Sequence, residues 1–363
     1  MSATGQTQRI HAIDYLRGLF ATSILVYHFS TWAGYNGPGV SVLHKLGIYA
    51  VYAFYVISGI SFGYIYRRLE LRWADVYRFA LKRFFRLWPL YTLACIASLL
   101  LTLHNPPPLF WIILNLTLTF GFINPVAYLP DGGWSIGNEM VFYLLFPFAI
   151  YALRKKRWAF FLFLLASIGV ACWFAFVRLD PNQTLGSQWP QYVRPENHLF
   201  LFLSGVLVAS WIGSVSFRPV ASYLILLAAV GLFVALPFDG GEISLVTGWH
   251  RLVYGAICLV LCGVGALGKW PLPRIADNAL EWLGLTSYSI YLLHPIVFQV
   301  CAHVVRAPKT AAAIAVPLTF VTVHFVYRWI EAPMIRLGKS IADGGRVTSI
   351  GGQRTAPSLS TGD

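Results

Sequence analysis

The chain alternates long apolar runs with short polar breaks. Eleven runs stand out, near 12–30, 47–66, 88–103, 109–123, 138–153, 158–177, 199–212, 220–237, 251–268, 287–305 and 310–329. Many approach the roughly 20 apolar residues that an α-helix needs to cross a bilayer. They predict an all-α fold, a polytopic membrane helix bundle with no large second domain. Residues 1–340 read as the transmembrane unit. Residues 341–363, rich in Gly, Ser and Thr, read as a disordered cytoplasmic tail. The opening "MSATGQTQRIHAID" shows no small-residue cleavage site, so the first helix reads as an uncleaved anchor.

Charge decides how many runs cross. The run at 109–123 is short, follows "HNPPP" and precedes "INPVAYLPDGG". If it does not cross, ten helices do, both termini are cytoplasmic, and loop Lys and Arg divide 19 inside to five outside. If it crosses, the division is about 12 to 12. Cytoplasmic loops carry the excess of Lys and Arg, which favours ten crossings. Residues 104–137 then form an outside excursion, a candidate re-entrant segment. Backbone of that kind is tolerated at membrane depth only under protein or beside a watery cavity.

Composition supports this picture. The 363 residues are 57% hydrophobic and only 11% charged, against roughly 25% charged in soluble domains. A net charge of +13 would suggest nucleic acid in a soluble protein. Here it is mostly topogenic, so a lipid bilayer is the expected partner and nucleic acid is not. The five cysteines sit in apolar runs and read as packing residues rather than ligands or disulfides. There is no metal-ligand spacing, phosphate loop, nucleophile elbow or dinucleotide fingerprint. No internal repeat is visible, which counts against a secondary transporter.

Ionisable groups inside a membrane are expensive and mark candidate sites. Arg17 and His28 are eleven residues apart on the first helix. At 100° per residue they share a face, about 16 Å apart along the axis. Separately they read as a snorkelling arginine and an interfacial histidine. Together they point to function. "RRLELRWADVYRFALKRFFRLWPLY" (67–91) carries seven basic residues among aromatics. A loop on anionic lipid needs fewer, and Lys82, Arg83 and Arg86 suit a polyphosphate ligand held by charge-assisted bonds. In "GGWSIGNEMVFY" (132–143), Trp134 reads as an interfacial anchor and Ser135 as a helix cap. Glu139, one turn in, needs a partner, and His28 is expected at similar depth. Asn138 and Tyr143 can add hydrogen bonds, although a solvated carboxylate at a helix start is the plainer alternative. In "TSYSIYLLHP" (286–295), Ser287, Tyr291 and His294 form one polar stripe, either a site or a helix–helix contact. In "YRWIEAPMIRLGK" (327–339), Arg328 and Glu331 are spaced to pair at a helix end and read as structural.

Taken in order, several motifs resemble one family. They are Arg17 and His28 with ten residues between them, "FYVISGI" (54–60), "KRFFRLWPLY" (82–91), "WSIGNEMVFY" (134–143), "SYSIYLLHP" (287–295) and a late "EAP". The set resembles the acyltransferase-3 family of membrane proteins, typified by bacterial O-antigen and exopolysaccharide O-acetyltransferases, over roughly residues 10–338. The resemblance implies ten transmembrane helices in the bacterial cytoplasmic (inner) membrane. It also implies an acyl-CoA co-substrate, acetyl-CoA above all, and a carbohydrate acceptor modified on the outer side, with no metal.

Carried over, Arg17 and His28 match the first-helix pair, and Arg83 and Arg86 match the basic motif. Trp134, Ser135, Glu139 and Tyr143 match the tryptophan-serine-glutamate motif, and His294 matches the late histidine. The implied roles are catalytic for His28, Glu139 and Arg17, with His28 as base or acyl carrier. Arg17, Lys82, Arg83 and Arg86 would bind the donor. Trp134, Ser135, Asn138, Tyr143 and His294 would meet the substrate. Two departures are visible: "WSIGNE" stands where members often read "WSLSVE", which introduces Asn138, and the extracytoplasmic esterase-like domain of some members is not seen, so the chain is expected to act alone or with a partner. A glycan or lipid transporter, and an acyltransferase acting on a small secondary metabolite, are the alternatives.

Overall fold

The computed structural model describes residues 10–35, 40–238 and 241–344. The leading residues of the expected anchor and the tail from 345 lie outside them. Fifteen α-helices carry the described chain. The first three are α1 His11–Trp32, α2 Val40–Ile65 and α3 Trp73–Leu101. Two short ones follow, α4 Leu109–Leu116 and α5 Phe120–Ile123, and then α6 Trp134–Lys155 and α7 Arg157–Trp173. Next come α8 Trp189–Tyr192, α9 Leu199–Ala209, α10 Pro219–Ala235, α11 Glu242–Val246 and α12 Gly248–Leu267. The chain closes with α13 Arg274–Val305, α14 Pro308–Val326, a π-helical turn Tyr327–Glu331 and α15 Ala332–Ala342. No strand forms among the described residues. Helix α15 runs into the segment read as tail, because its apolar face packs on α3.

Seven helices are long and apolar enough to cross a membrane: α2, α3, α6, α7 with its π turn, α12, α13, and α14 continuing into α15. Helix α1 is long enough at 22 residues, but Asp14, Arg17 and His28 dilute its apolar character. Helices α9 and α10 are apolar but shorter. Helix α2 is the central post, with 83% of its most apolar window buried against 22% for the α14–α15 rod. The most extensive contacts join α2 to α9 and α1 to α13.

The excursion holds no helix long enough to cross. Helix α4 has eight residues, about 12 Å of rise, against a hydrocarbon core of about 30 Å. Contacts across the bundle agree. Arg154 bonds to Glu70 and to the Leu69 carbonyl, each at 2.9 Å, so the turns after α2 and α6 share one side. The Gln299 amide donates to Asp131 (2.9 Å) and the Trp189 indole to Tyr128 (2.8 Å), so the excursion lies on the opposite side with the segment before α9.

Helix α3 begins at Trp73, well before its apolar run. The basic stretch is therefore mostly helical, which sets Arg83 and Arg86 on one face and Lys82 on another.

Candidate active site

Two glycines bring α1 and α13 together. A Cβ on Gly18 would stand 2.5 Å from Leu283 Cβ, and one on Gly284 2.2 Å from the Asp14 carbonyl oxygen. Contact this close puts the polar face of α1 against the polar stripe of α13.

Beside them is a partly open cavity of about 70 Å³. Arg17, Arg83 and Arg86 line it together with Glu139. Three guanidinium groups thus face one carboxylate. Arg17 Nη2 donates to Ser61 Oγ (3.0 Å), and Asp14 lies 3.7 Å from its Nη1. Arg83 Nη2 donates to the Tyr66 hydroxyl (3.1 Å), while the guanidinium sits 4.7 Å from the Phe62 ring centroid. That cation–π contact stabilises a charge away from water. The buried Nε of Arg83 has no hydrogen-bond partner among the described residues. Glu139 accepts from Ser58 Oγ (2.6 Å) and from the Tyr143 hydroxyl (2.7 Å).

The wall continues through Ser135 and Tyr291, whose hydroxyls share a 2.8 Å hydrogen bond. Tyr291 also donates to the Gly132 carbonyl (2.9 Å), tying the excursion to α13. Beyond Tyr291 lies His294, with ring centroids 6.3 Å apart, and then His28, 5.4 Å from His294. His28 is half-buried and stacks on Trp32 at 4.9 Å. His28 and His294 do not line the cavity; they form a second polar group beyond Tyr291, on the same two helices α1 and α13.

Several expectations change. Glu139 does not meet His28: its two oxygens are taken by Ser58 and Tyr143, and it lies among the arginines. The cause is where α6 starts. Trp134 is buried against Tyr55, Trp189, Tyr192 and His198, and a Cβ on Gly121 would press 2.2 Å from the Gly137 carbonyl oxygen. The helix thus begins inside the protein, and Glu139 lies deeper than a surface start would put it. Trp134 is accordingly an internal packing residue rather than an interfacial anchor. Ser135 does not cap α6, since its Oγ turns to the Gly132 carbonyl and Tyr291. Asn138 is fully buried and donates to the Tyr55 hydroxyl (3.0 Å), away from the cavity. Lys82 leaves the arginine face and pairs with Asp343 at 2.8 Å.

Other residues were not anticipated. Ser58 and Ser61 come from "FYVISGI" and the serine that follows it, a segment whose small hydroxyls carry no charge signal. Glu331 does not pair with Arg328. It is buried at 2% exposure and accepts from Ser289 Oγ at 2.5 Å. Its charge is the strongest opposite charge acting on Arg86. Arg251, fully buried, is held by the carbonyl and side chain of Asn197. No cluster among the described residues has a metal-binding arrangement. All five cysteines are free.

Comparison with known proteins fits this layout. A family model described as an acyltransferase domain, that of the acyltransferase-3 family, matches residues 10–327. The peptidoglycan O-acetyltransferase OatA of Listeria monocytogenes is 23% identical over 379 aligned positions, which cover 91% of this chain and 56% of that protein. The chain thus spans just over half the length of this curated relative. No solved structure matches.

Proposed function

The chain belongs to the acyltransferase-3 family and is an acyltransferase of that membrane-embedded kind, and from this premise we propose that it carries an acyl group, acetyl in the first instance, from acyl-CoA to a carbohydrate hydroxyl. The observation that carries the donor assignment is the cavity with three arginines and one carboxylate. Such a site suits a polyanion through forked, charge-assisted bonds. The phosphates of acyl-CoA would rest on Arg17, Arg83 and Arg86, and the thioester arm would run past Ser135 and Tyr291 toward His28. The sugar hydroxyl would meet His28, acting as general base. The listerial relative is named for acetylating peptidoglycan, a carbohydrate polymer, which supports a sugar acceptor over a small secondary metabolite. Family membership removes the footing of the transporter reading.

The membrane arrangement is part of the same proposal. Helices α1, α9 and α10 join the seven long apolar spans to give ten crossings of the cytoplasmic membrane. Both termini and the arginine mouth face the cytoplasm, where acyl-CoA is found, and the histidine pair faces outward.

The test is His28→Ala in native membranes, which carry the acceptor, supplied with labelled acetyl-CoA. Incorporation into glycan is expected to vanish while the protein still inserts. Full incorporation by that variant would remove the base. Mass spectrometry of surface glycan from cells with and without the protein then reads the acceptor and the position of the acetate.

A further inference from the structure

A histidine whose free nitrogen is buried beside the proposed base has a chemistry of its own. His294 is 1% exposed, and its Nδ1 lies 2.9 Å from the Ile290 carbonyl oxygen. A carbonyl only accepts, so Nδ1 carries the proton and the neutral ring presents Nε2 as a lone pair. That Nε2 is buried with no hydrogen-bond partner among the described residues. Buried polar atoms are rarely left so, and each such case calls for a reason.

The rings around His294 narrow the donors. Phe29 offers none at 6.0 Å. The Tyr291 hydroxyl is already engaged with Gly132 and Ser135. The Trp32 ring lies farther off, at 6.2 Å with planes 20° apart. His28 is the nearest ring, at 5.4 Å, and among the described residues it makes ring contacts but no hydrogen bond of its own. Hydrogen bonds between catalytic groups are often long in the empty enzyme and tighten with substrate.

We propose that His294 is the positioning residue of His28, the role first expected of Glu139. This rests on His28 being the base of the acyl transfer. With substrate in place, one ring nitrogen of His28 donates its proton as a hydrogen bond to His294 Nε2. The other nitrogen then keeps its lone pair toward the acceptor hydroxyl. As the hydroxyl oxygen forms its bond to the thioester carbonyl carbon, its proton passes to that His28 nitrogen. The C–S bond breaks, and the departing thiolate takes the proton back from the His28 imidazolium. His294 stabilises the imidazolium meanwhile, the place a carboxylate holds behind the histidine of a hydrolase triad. The Ile290 carbonyl fixes His294, so the device is set by one turn of α13.

The experiment follows thiol release from acetyl-CoA in native membranes. The variants are His294→Ala, His294→Gln, Trp32→Phe, His28→Ala and the double His28→Ala/His294→Ala, each checked for inserted amount and melting temperature. His294→Ala is expected to lower kcat about 100-fold with the KM for acetyl-CoA unchanged. His294→Gln, which returns an acceptor oxygen near Nε2, is expected to recover most of that loss, and it keeps the test open if the alanine variant fails to insert. The double variant should be no worse than His28→Ala, since groups acting as a unit are not additive. Trp32→Phe should fall less than His294→Ala.

A wild-type kcat in His294→Ala overturns the proposal. So does a glutamine variant that inserts but recovers nothing, a further multiplicative loss in the double variant, or an equal fall in Trp32→Phe. If His28→Ala is inactive and His294→Ala is normal, only this inference falls. If His28→Ala is fully active, the assignment of His28 as base falls and takes this inference with it.

Discussion

Three guanidinium groups and one carboxylate line the same cavity. Arg86 lines the cavity and has no hydrogen-bond partner among the described residues, while Glu331 behind it supplies the opposing charge. Hydrogen bonds to charged groups contribute about 1.5–3 kcal/mol. Arg86→Gln is therefore expected to raise the KM for acetyl-CoA roughly 10- to 100-fold with a smaller change in kcat, measured in membranes at saturating acceptor. Lys82→Ala should move that KM far less, because Lys82 is turned to Asp343. Equal effects of the two would return Lys82 to the donor site. The residue types were legible here: a helix carrying Arg17 and His28, and arginines three apart, announce themselves by their cost in a membrane. The pairings were not. Ser58 as the partner of Glu139 joins residues 81 positions apart, and no local pattern encodes that.

Among the elements, α1 and α13 matter most, since together they carry Arg17, His28, Tyr291 and His294. Their contact depends on the absence of side chains at Gly18 and Gly284, the small-residue device by which membrane helices approach closely. Gly284→Val must push α13 off the Asp14 backbone. Overpacking of this kind costs about 1–3 kcal/mol. The variant is expected to melt several degrees lower in detergent and to lose activity even where it remains folded, because the cavity and the histidine pair both straddle that seam. Undiminished turnover would show that the two helices need not touch. Helix α6 illustrates what an element conceals in sequence. "GGWSIGNE" marks a helix start correctly, with α6 opening at Trp134. Its depth follows from Gly121 packing on Gly137 and from the aromatic cluster around Trp134, contacts made by segments far along the chain.

At the level of the whole molecule, the contacts sort into two sides. Glu70 and Arg154 meet on one, while Asp131 and Gln299 meet on the other. The proposed ten-crossing arrangement would make the first side cytoplasmic. A membrane-impermeant maleimide should then label Asn105→Cys in intact cells and Lys155→Cys only after permeabilisation; the reverse pattern would invert the protein. A ligand that binds only the folded state at 100 times its Kd adds about 2.7 kcal/mol, so acetyl-CoA should raise the melting temperature of wild type and much less that of Arg86→Gln. The sequence by itself determined the helical class, the number of apolar runs and the identity of most candidate groups. Those follow from hydropathy, helix length and the price of charge in hydrocarbon, all local properties. Tertiary structure decided which groups stand together. It moved Glu139 from the histidine to the arginines, turned Lys82 away, and brought Glu331 behind Arg86 and His294 beside His28. Partnership between distant helices depends on where glycines permit close packing and how deep each helix begins, and those are settled only when the bundle assembles.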